Sequence, residues 1–180
     1  MNIVTIGRGR IGGGLAQLWS SAGHDVTTLG RDGGDAGAAD VILVAVPGAQ
    51  IASALAGVTG LQGKIAIDAT NILPAREGDF PSYAEQVKSI TGGPVAKSFN
   101  MNFAGLFSEV AAQRVRPSNW YVSDPEARDV TEQLIVDAGY DPVRLGGLSR
   151  ARDLENAVWL LMSAQPVGQL FYRFARPGEL

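Results

Sequence analysis

The sequence predicts an α/β protein built on a doubly wound, mainly parallel sheet with a closing C-terminal helix. Three observations carry this. Short β-rich runs alternate with helical periods along the chain, the run Val41–Val46 is apolar throughout, and a glycine-rich turn separates the first run from the first helical stripe. At 180 residues, the chain reads as a single domain over 1–180. A domain of that size buries roughly 70% of its unfolded surface and needs no covalent staple.

Ile3–Ile6 reads as the first strand. Ile11, Leu15, Leu18, Trp19 and Ala22 then mark one stripe of a helix that Gly23 ends. Asp25–Leu29 is a second strand, and Val41–Val46 a third, covered on both faces. Ile51, Leu55 and Val58 suggest a short helix, and Lys64–Ala69 a fourth strand. Ser82-Tyr83-Ala84-Glu85 has the form of a capping box, opening a helix whose apolar face carries Tyr83, Val87 and Ile90. Pro94–Phe99 is a fifth strand, Phe103, Leu106, Phe107 and Val110 are spaced for a short helix, and Trp120–Val122 is a sixth strand. Asp124-Pro125-Glu126 has the chemistry of a helix start, and Val130, Leu134 and Ala138 carry that helix to Gly139. Val143–Leu145 ends the sheet. Ser149 can cap a final helix bearing Leu154, Val158, Leu161 and Met162, which Pro166 bends or breaks.

One connection is too short for its usual content. Only the eleven residues Gly30–Asp40 separate the second and third strands. A parallel crossover with its helix takes about a dozen or more. The second helix is therefore expected to be shortened or missing, which would leave the side of a bound adenine open.

Gly7-Arg8-Gly9-Arg10-Ile11-Gly12 follows the first strand and opens the first helix. In a Rossmann-type fold the first glycine makes the tight turn, the second admits a pyrophosphate and the third lets helix and strand pack closely. Unpaired N–H groups at the helix start then face the phosphates. About 20 residues past such a motif, an NAD-binding chain places an acid for the ribose 2′-hydroxyl. Here that region reads Thr28-Leu29-Gly30-Arg31-Asp32. Arg31 matches a 2′-phosphate, with Arg8 as a second positive charge, so NADP(H) is favoured. Asp32 keeps the NAD alternative open.

Composition closes other routes. The chain has no cysteine and one histidine, His24, so no metal centre is expected. A net charge of −3 lacks the basic footprint of a nucleic-acid binder. No apolar run is long enough to cross a membrane and no leader precedes Ile3, so the cytoplasm is the default expectation. Groups suited to general acid–base work are few, whereas hydride transfer between flat cofactors needs alignment and exclusion of water. The polar residues at the carboxyl ends of strands four and five are Asp68, Thr70 and Asn71, and Lys97, Ser98, Asn100 and Asn102. Ligands of open α/β sheets sit at such ends. Lys97 and Asn100 are the catalytic candidates, Lys97 to stabilise negative charge and Asn100, like Asn71, to bond a carboxamide or flavin edge. Met101 and Phe103 read as packing residues.

Gly7–Gly12, Leu29–Arg31, Val44–Pro47, Lys64–Asp68 and Leu145–Arg152 occur in this order. Together they resemble the NADPH-dependent reductases of the deazaflavin coenzyme F-420. They are also similar to the cytosolic oxidoreductase domain of six-transmembrane metalloreductases, most closely at Lys97–Asn100 and Ser149–Asn156, where a flavin accepts hydride. The resemblance implies that Gly7, Arg8, Gly9, Arg10 and Ile11 wrap the pyrophosphate and that Gly30 and Arg31 read the 2′-phosphate. It implies that Val46, Pro47, Thr70 and Asn71 line the nicotinamide ribose. It places a deazaflavin or flavin near Asn100, Met101 and Asn102. A small hydroxyl residue is common in the family where Arg8 and Gly30 stand, so the phosphate pocket is rebuilt here.

The activity these residues suggest is hydride transfer between NADP(H) and coenzyme F-420 or a flavin. A small imine or carbonyl reductase would need an acid from Lys97 or a tyrosine such as Tyr83. A redox sensor or partner subunit would bind NADP(H) without turnover. Many enzymes with such an N-terminal half add a helical substrate domain, and none is expected among these 180 residues. A second substrate is then expected on the sheet's own face or in a cleft shared by subunits. Trp159–Met162, continued by Leu170, Phe171 and Phe174, suggests a homodimer surface.

Overall fold

The computed structural model describes residues 1–71, 80–163 and 168–179. In chain order the elements begin with β1 (Asn2–Ile6), α1 (Arg10–Ser21), β2 (Asp25–Leu29), β3 (Gly34–Asp35), β4 (Val41–Val44), α2 (Ile51–Ala56) and β5 (Val58–Thr59). They continue with β6 (Ile65–Asp68), α3 (Tyr83–Thr91), β7 (Val95–Lys97), β8 (Ser118–Ser123), α4 (Arg128–Asp137), β9 (Asp141–Arg144) and α5 (Ala151–Ser163). Seven strands form one sheet in the order β2-β1-β4-β6-β7-β8-β9, parallel except where β8 runs against β7. The fold is of the Rossmann type.

Alternation along the strands builds a core on each face. Val4, Ile6, Ile42 and Val44 point to the side covered by α2, α3 and α5. Ile3, Val41 and Leu43 point to the other side, against Leu15 and Trp19 of α1 and Leu134 of α4. β4 lies between β1 and β6 and is buried along its whole length, which is why it is apolar without interruption. β2 is the edge strand and turns Asp25, Thr27 and Thr28 to solvent, a polar edge that resists further pairing. From β1 the chain steps to β2 and then crosses to β4 on the other side. The crevice above β1 and β4 is therefore the topological switch point.

The second crossover has no helix, as its length requires. In its place β3 pairs with β5 in a two-stranded parallel ribbon. The ribbon closes tightly: a Cβ on Gly33, whose φ is +73°, would stand 1.9 Å from the Gly57 carbonyl oxygen. Lys64 Nζ donates to the carbonyls of Gly37 and Ala39, both at 2.7 Å. Ala36 and Ala39 enter the core beneath it. Val58, expected on a helical face, belongs to this ribbon because α2 stops at Ala56.

Several helix starts differ from expectation. Ser82 Oγ accepts from Glu85 N at 3.1 Å, but no return bond from the Glu85 carboxylate completes the box. Asp124 caps nothing: its carboxylate is engaged by Lys88 Nζ and Val95 N, and a short 3₁₀ turn precedes α4. Ser149 lies inside a 3₁₀ turn that starts after Gly147, so it does not cap α5. The segment Ala104–Ala112 is also 3₁₀. Pro166 lies outside the described residues. On α5, Trp159 and Leu160 face solvent, whereas Leu161 and Met162 line a cavity described below. No described helix is long and apolar enough to cross a membrane.

Candidate functional site

The turn after β1 is shaped by its glycines for two different reasons. Gly7 has φ +105°, and a Cβ there would stand 2.3 Å from the Ala45 carbonyl oxygen. A Cβ on Gly12 would stand 1.8 Å from the Gly7 carbonyl oxygen, so this glycine lets α1 settle on β1. Gly9 is different: a Cβ there would meet nothing within 4 Å. Gly9 is also the residue before α1, whose first turn has neither a side-chain cap nor an acidic residue. Its first N–H groups thus lack a side-chain partner, and the space beside Gly9 is open, as an anion site at a helix N-terminus requires. The turn fits a pyrophosphate.

A cleft of about 900 Å³ opens along this turn, within the size range of cofactor sites. Its walls come from the ends of three strands: Gly7–Gly9 after β1, Gly30–Asp32 after β2 and Ala45–Pro47 after β4. Gln50, from the turn before α2, and Ser53 and Ala54 of α2 add a wall that the sequence did not mark. Arg8, Arg31 and Asp32 line it together, and among the described residues none of the three forms an ion pair. Two guanidinium groups on one wall give the cleft a chemistry suited to an anion.

A second cavity, of about 190 Å³, lies on the other side of the α1 start. Arg10 and Ile11 line it with Asn71, Met101, Phe103, Leu161 and Met162, among others. Arg10 thus turns away from the cleft that holds Arg8. The chain reaches this cavity through a forced bend. Phe99 has φ +61°, a left-handed conformation costly for a bulky residue, and it is fully buried between Trp19 and Tyr140 with edge-on ring contacts. The bend delivers Asn100, whose backbone oxygen accepts from Asn71 Nδ2 at 2.9 Å and whose Nδ2 donates to Asn71 Oδ1 at 3.1 Å. Asn100 Nδ2 also donates to the Leu154 carbonyl at 3.0 Å, while its Oδ1 is buried without a partner. Asn71 and Asn100 therefore form a reciprocal clasp on the cavity wall.

Three expected site residues have other roles. Asn102 reaches the cavity edge, but its Nδ2 donates to the Ser118 carbonyl and its Oδ1 accepts from Asn119 Nδ2 at 2.8 Å. It ties the loop to β8. Thr70 lines neither cavity, being nearly inaccessible, with its N–H on Asp68 Oδ1 at 2.9 Å. Lys97 is fully buried and lines neither cavity among the described residues. Its Nζ donates to Asp68 Oδ2 at 2.8 Å and to the Thr70 carbonyl at 2.6 Å, and lies 3.3 Å from Glu155 Oε1. Met101, by contrast, lines the cavity while remaining almost wholly buried.

Glu155 joins this cluster from α5 and was missed in the sequence. Its Oε1 accepts from Tyr83 N at 2.7 Å, linking α5, α3 and β7. Burial raises its carboxyl above the usual range, and Lys97 opposes that shift only in part. A signal existed: Ala151, Leu154, Glu155 and Val158 form one buried stripe, so an acid stands where helical periodicity calls for an apolar residue. Asp68 and Lys97 are likewise direct partners in the β6–β7 register.

No family model and no curated protein match the chain, so the comparisons rest on solved structures. A protein from Arthrobacter sp. FB24, provisionally described as an F-420-dependent NADP reductase, superimposes with a TM-score of 0.79 at 24% identity. The match covers 97% of this chain and 99% of that one. The 3-hydroxyisobutyrate dehydrogenase of Mycobacterium tuberculosis gives a TM-score of 0.63 at 12% identity, covering 92% of this chain and 61% of the dehydrogenase. A reductive aminase from Aspergillus terreus, solved with NADPH, gives 0.64 at 15% identity, covering 93% of this chain and 63% of the aminase. At these identities the likeness is one of fold.

Proposed function

We propose that this chain is an NADPH-dependent oxidoreductase that passes hydride between NADP(H) and a second flat redox cofactor, a deazaflavin such as coenzyme F-420 or a flavin. One observation carries this: two cavities share the start of α1, with Gly7, Arg8 and Gly9 lining the larger and the next residues, Arg10 and Ile11, the smaller. A dinucleotide lying along the larger space would bring its nicotinamide end past the start of α1 to the smaller one, because direct transfer needs donor and acceptor atoms about 3–3.5 Å apart. The full-length likeness to a protein provisionally described as an F-420-dependent NADP reductase supports the same reading.

The nicotinamide supplies the hydride, and the protein supplies binding, alignment and a dry site. The N–H groups ahead of α1 hold the pyrophosphate, while Arg8 and Arg31 hold the 2′-phosphate. Val46 and Pro47 line the ribose. The Asn71–Asn100 clasp presents amide groups to the nicotinamide or the acceptor edge, and Met101, Phe103, Leu161 and Met162 exclude water. Orientation of this kind is what a direct hydride transfer requires.

Reduction of a small imine or carbonyl is less well served. It needs a proton donor, yet Lys97 and Tyr83 line neither cavity, and Tyr83 packs against Gly48. The test is NADPH oxidation by purified protein with coenzyme F-420, FMN and FAD offered separately and NADH as control donor. Turnover with NADPH and one acceptor is expected. Binding of NADPH with no acceptor reduced would leave a nucleotide sensor in its place.

A further inference from the structure

The end of β2 carries an inference that rests on the NADP(H) reading and sharpens it. A Cβ on Gly30 would stand 2.9 Å from both Cζ and Nε of Arg8, and 3.2 Å from its Nη2. Three guanidinium atoms at nearly equal distance mean that Arg8 lays its face over the Gly30 backbone, although 21 residues separate the two in sequence. Glycine is not required there by conformation, because the φ of Gly30 lies outside the left-handed region. It leaves the space that the Arg8 guanidinium occupies, and a methyl there would have to displace that group. Among the described residues Arg8 makes neither a hydrogen bond nor an ion pair that would otherwise explain its placement.

On the reading that Arg8 and Arg31 hold the 2′-phosphate, we propose that Gly30 is a specificity-determining residue, which tunes the preference for a 2′-phosphorylated dinucleotide by leaving the space in which the Arg8 guanidinium lies. Arg8 touches the ligand; Gly30 is a positioning residue that acts through it. Two like charges facing one cleft, with Asp32 as the only acid on its wall, are at low energy when a dianion lies between them. Any side chain at position 30 would displace the Arg8 guanidinium from this place, so the two positions act as one unit.

The test is a double-mutant cycle read by NADPH and NADH affinity, using nucleotide fluorescence with the wild type, Arg8→Ala, Gly30→Ala and the double variant. Arg8→Ala is expected to weaken NADPH about ten- to a hundredfold, the effect of losing hydrogen bonds to a charged group. NADH should change by less than about threefold. Gly30→Ala should weaken NADPH in the same sense with its melting temperature close to wild type, because a flexible side chain and not the backbone has to move. In the Arg8→Ala background, Gly30→Ala should have no further effect. Additive losses, or equal losses for NADPH and NADH, would overturn this role of Gly30 and leave Arg8 as an adenine or pyrophosphate contact. A wild-type protein that binds neither nucleotide would overturn the NADP(H) reading itself.

Discussion

Lys97→Met is the substitution whose consequences the structure defines most sharply. Lys97 is the one lysine or arginine among the fully buried described residues, and it lies between Asp68 and Glu155, also fully buried. Without its ammonium, Asp68 keeps the Thr70 N–H and Glu155 the Tyr83 N–H, but their negative charges face each other with no cation between them. Removing one partner of a buried ion pair costs about 3–5 kcal/mol. For 180 residues at about 2.1 cal/mol/K each, the unfolding entropy is about 0.4 kcal/mol/K, so the melting temperature should fall by roughly 8–13 °C. Thermal unfolding followed by circular dichroism measures this. Adding Glu155→Gln to Lys97→Met should recover part of the loss by neutralising one stranded acid. A variant that melts within about 3 °C of wild type, a loss of about 1 kcal/mol, would refute the energetic argument. An unchanged melt with abolished hydride transfer would return Lys97 to the chemistry.

Other outcomes follow from the same geometry. Because burial raises the Glu155 carboxyl, the folded state holds that proton more firmly than the unfolded chain does. Its contribution to stability is full below the unfolded carboxyl range near about pH 4.3 and is lost as pH rises through the folded value. Glu155→Gln should therefore lose less stability than wild type between pH 4 and pH 8 in thermal melts; parallel profiles would contradict this. Gly12→Ala places a methyl 1.8 Å from a backbone oxygen and should cost at least about 1–3 kcal/mol, seen as a lowered melting temperature. Gly9→Ala meets no protein atom, so it should melt like wild type while weakening NADPH, measured by fluorescence titration. Asn71→Ala breaks both bonds of the clasp and should lower kcat/KM for the acceptor, measured by steady-state kinetics at saturating NADPH.

What the sequence disclosed and what it hid have physical causes. The succession of strands and helices was accessible in outline because β-branched runs and helical stripes alternate, and a shortened or missing second helix followed from counting Gly30–Asp40. The phosphate turn was legible because its glycines stand between a strand and a helix. The contact between Arg8 and Gly30 was not, since a glycine after a strand reads as a turn until the structure shows what lies over it. Lys97 shows a different gap between spacing and surroundings. A charged residue at a strand end suggests chemistry, whereas its strand partner Asp68 and the intruding Glu155 of α5 make it an internal tether. The left-handed Phe99, which sends Asn100 and Met101 to the second cavity, leaves no trace in residue spacing.

Direct hydride transfer is the central claim, and isotopic labelling tests it with the least intervening inference. NADPH carrying deuterium at the reactive position of the nicotinamide would be mixed with the protein and oxidised coenzyme F-420 in ordinary water. The reduced deazaflavin would then be analysed by mass spectrometry. The account predicts deuterium in the reduced deazaflavin, passed from one carbon to the other without exchange. Reduced deazaflavin containing only solvent hydrogen, or none formed while NADPH remains bound, would contradict it.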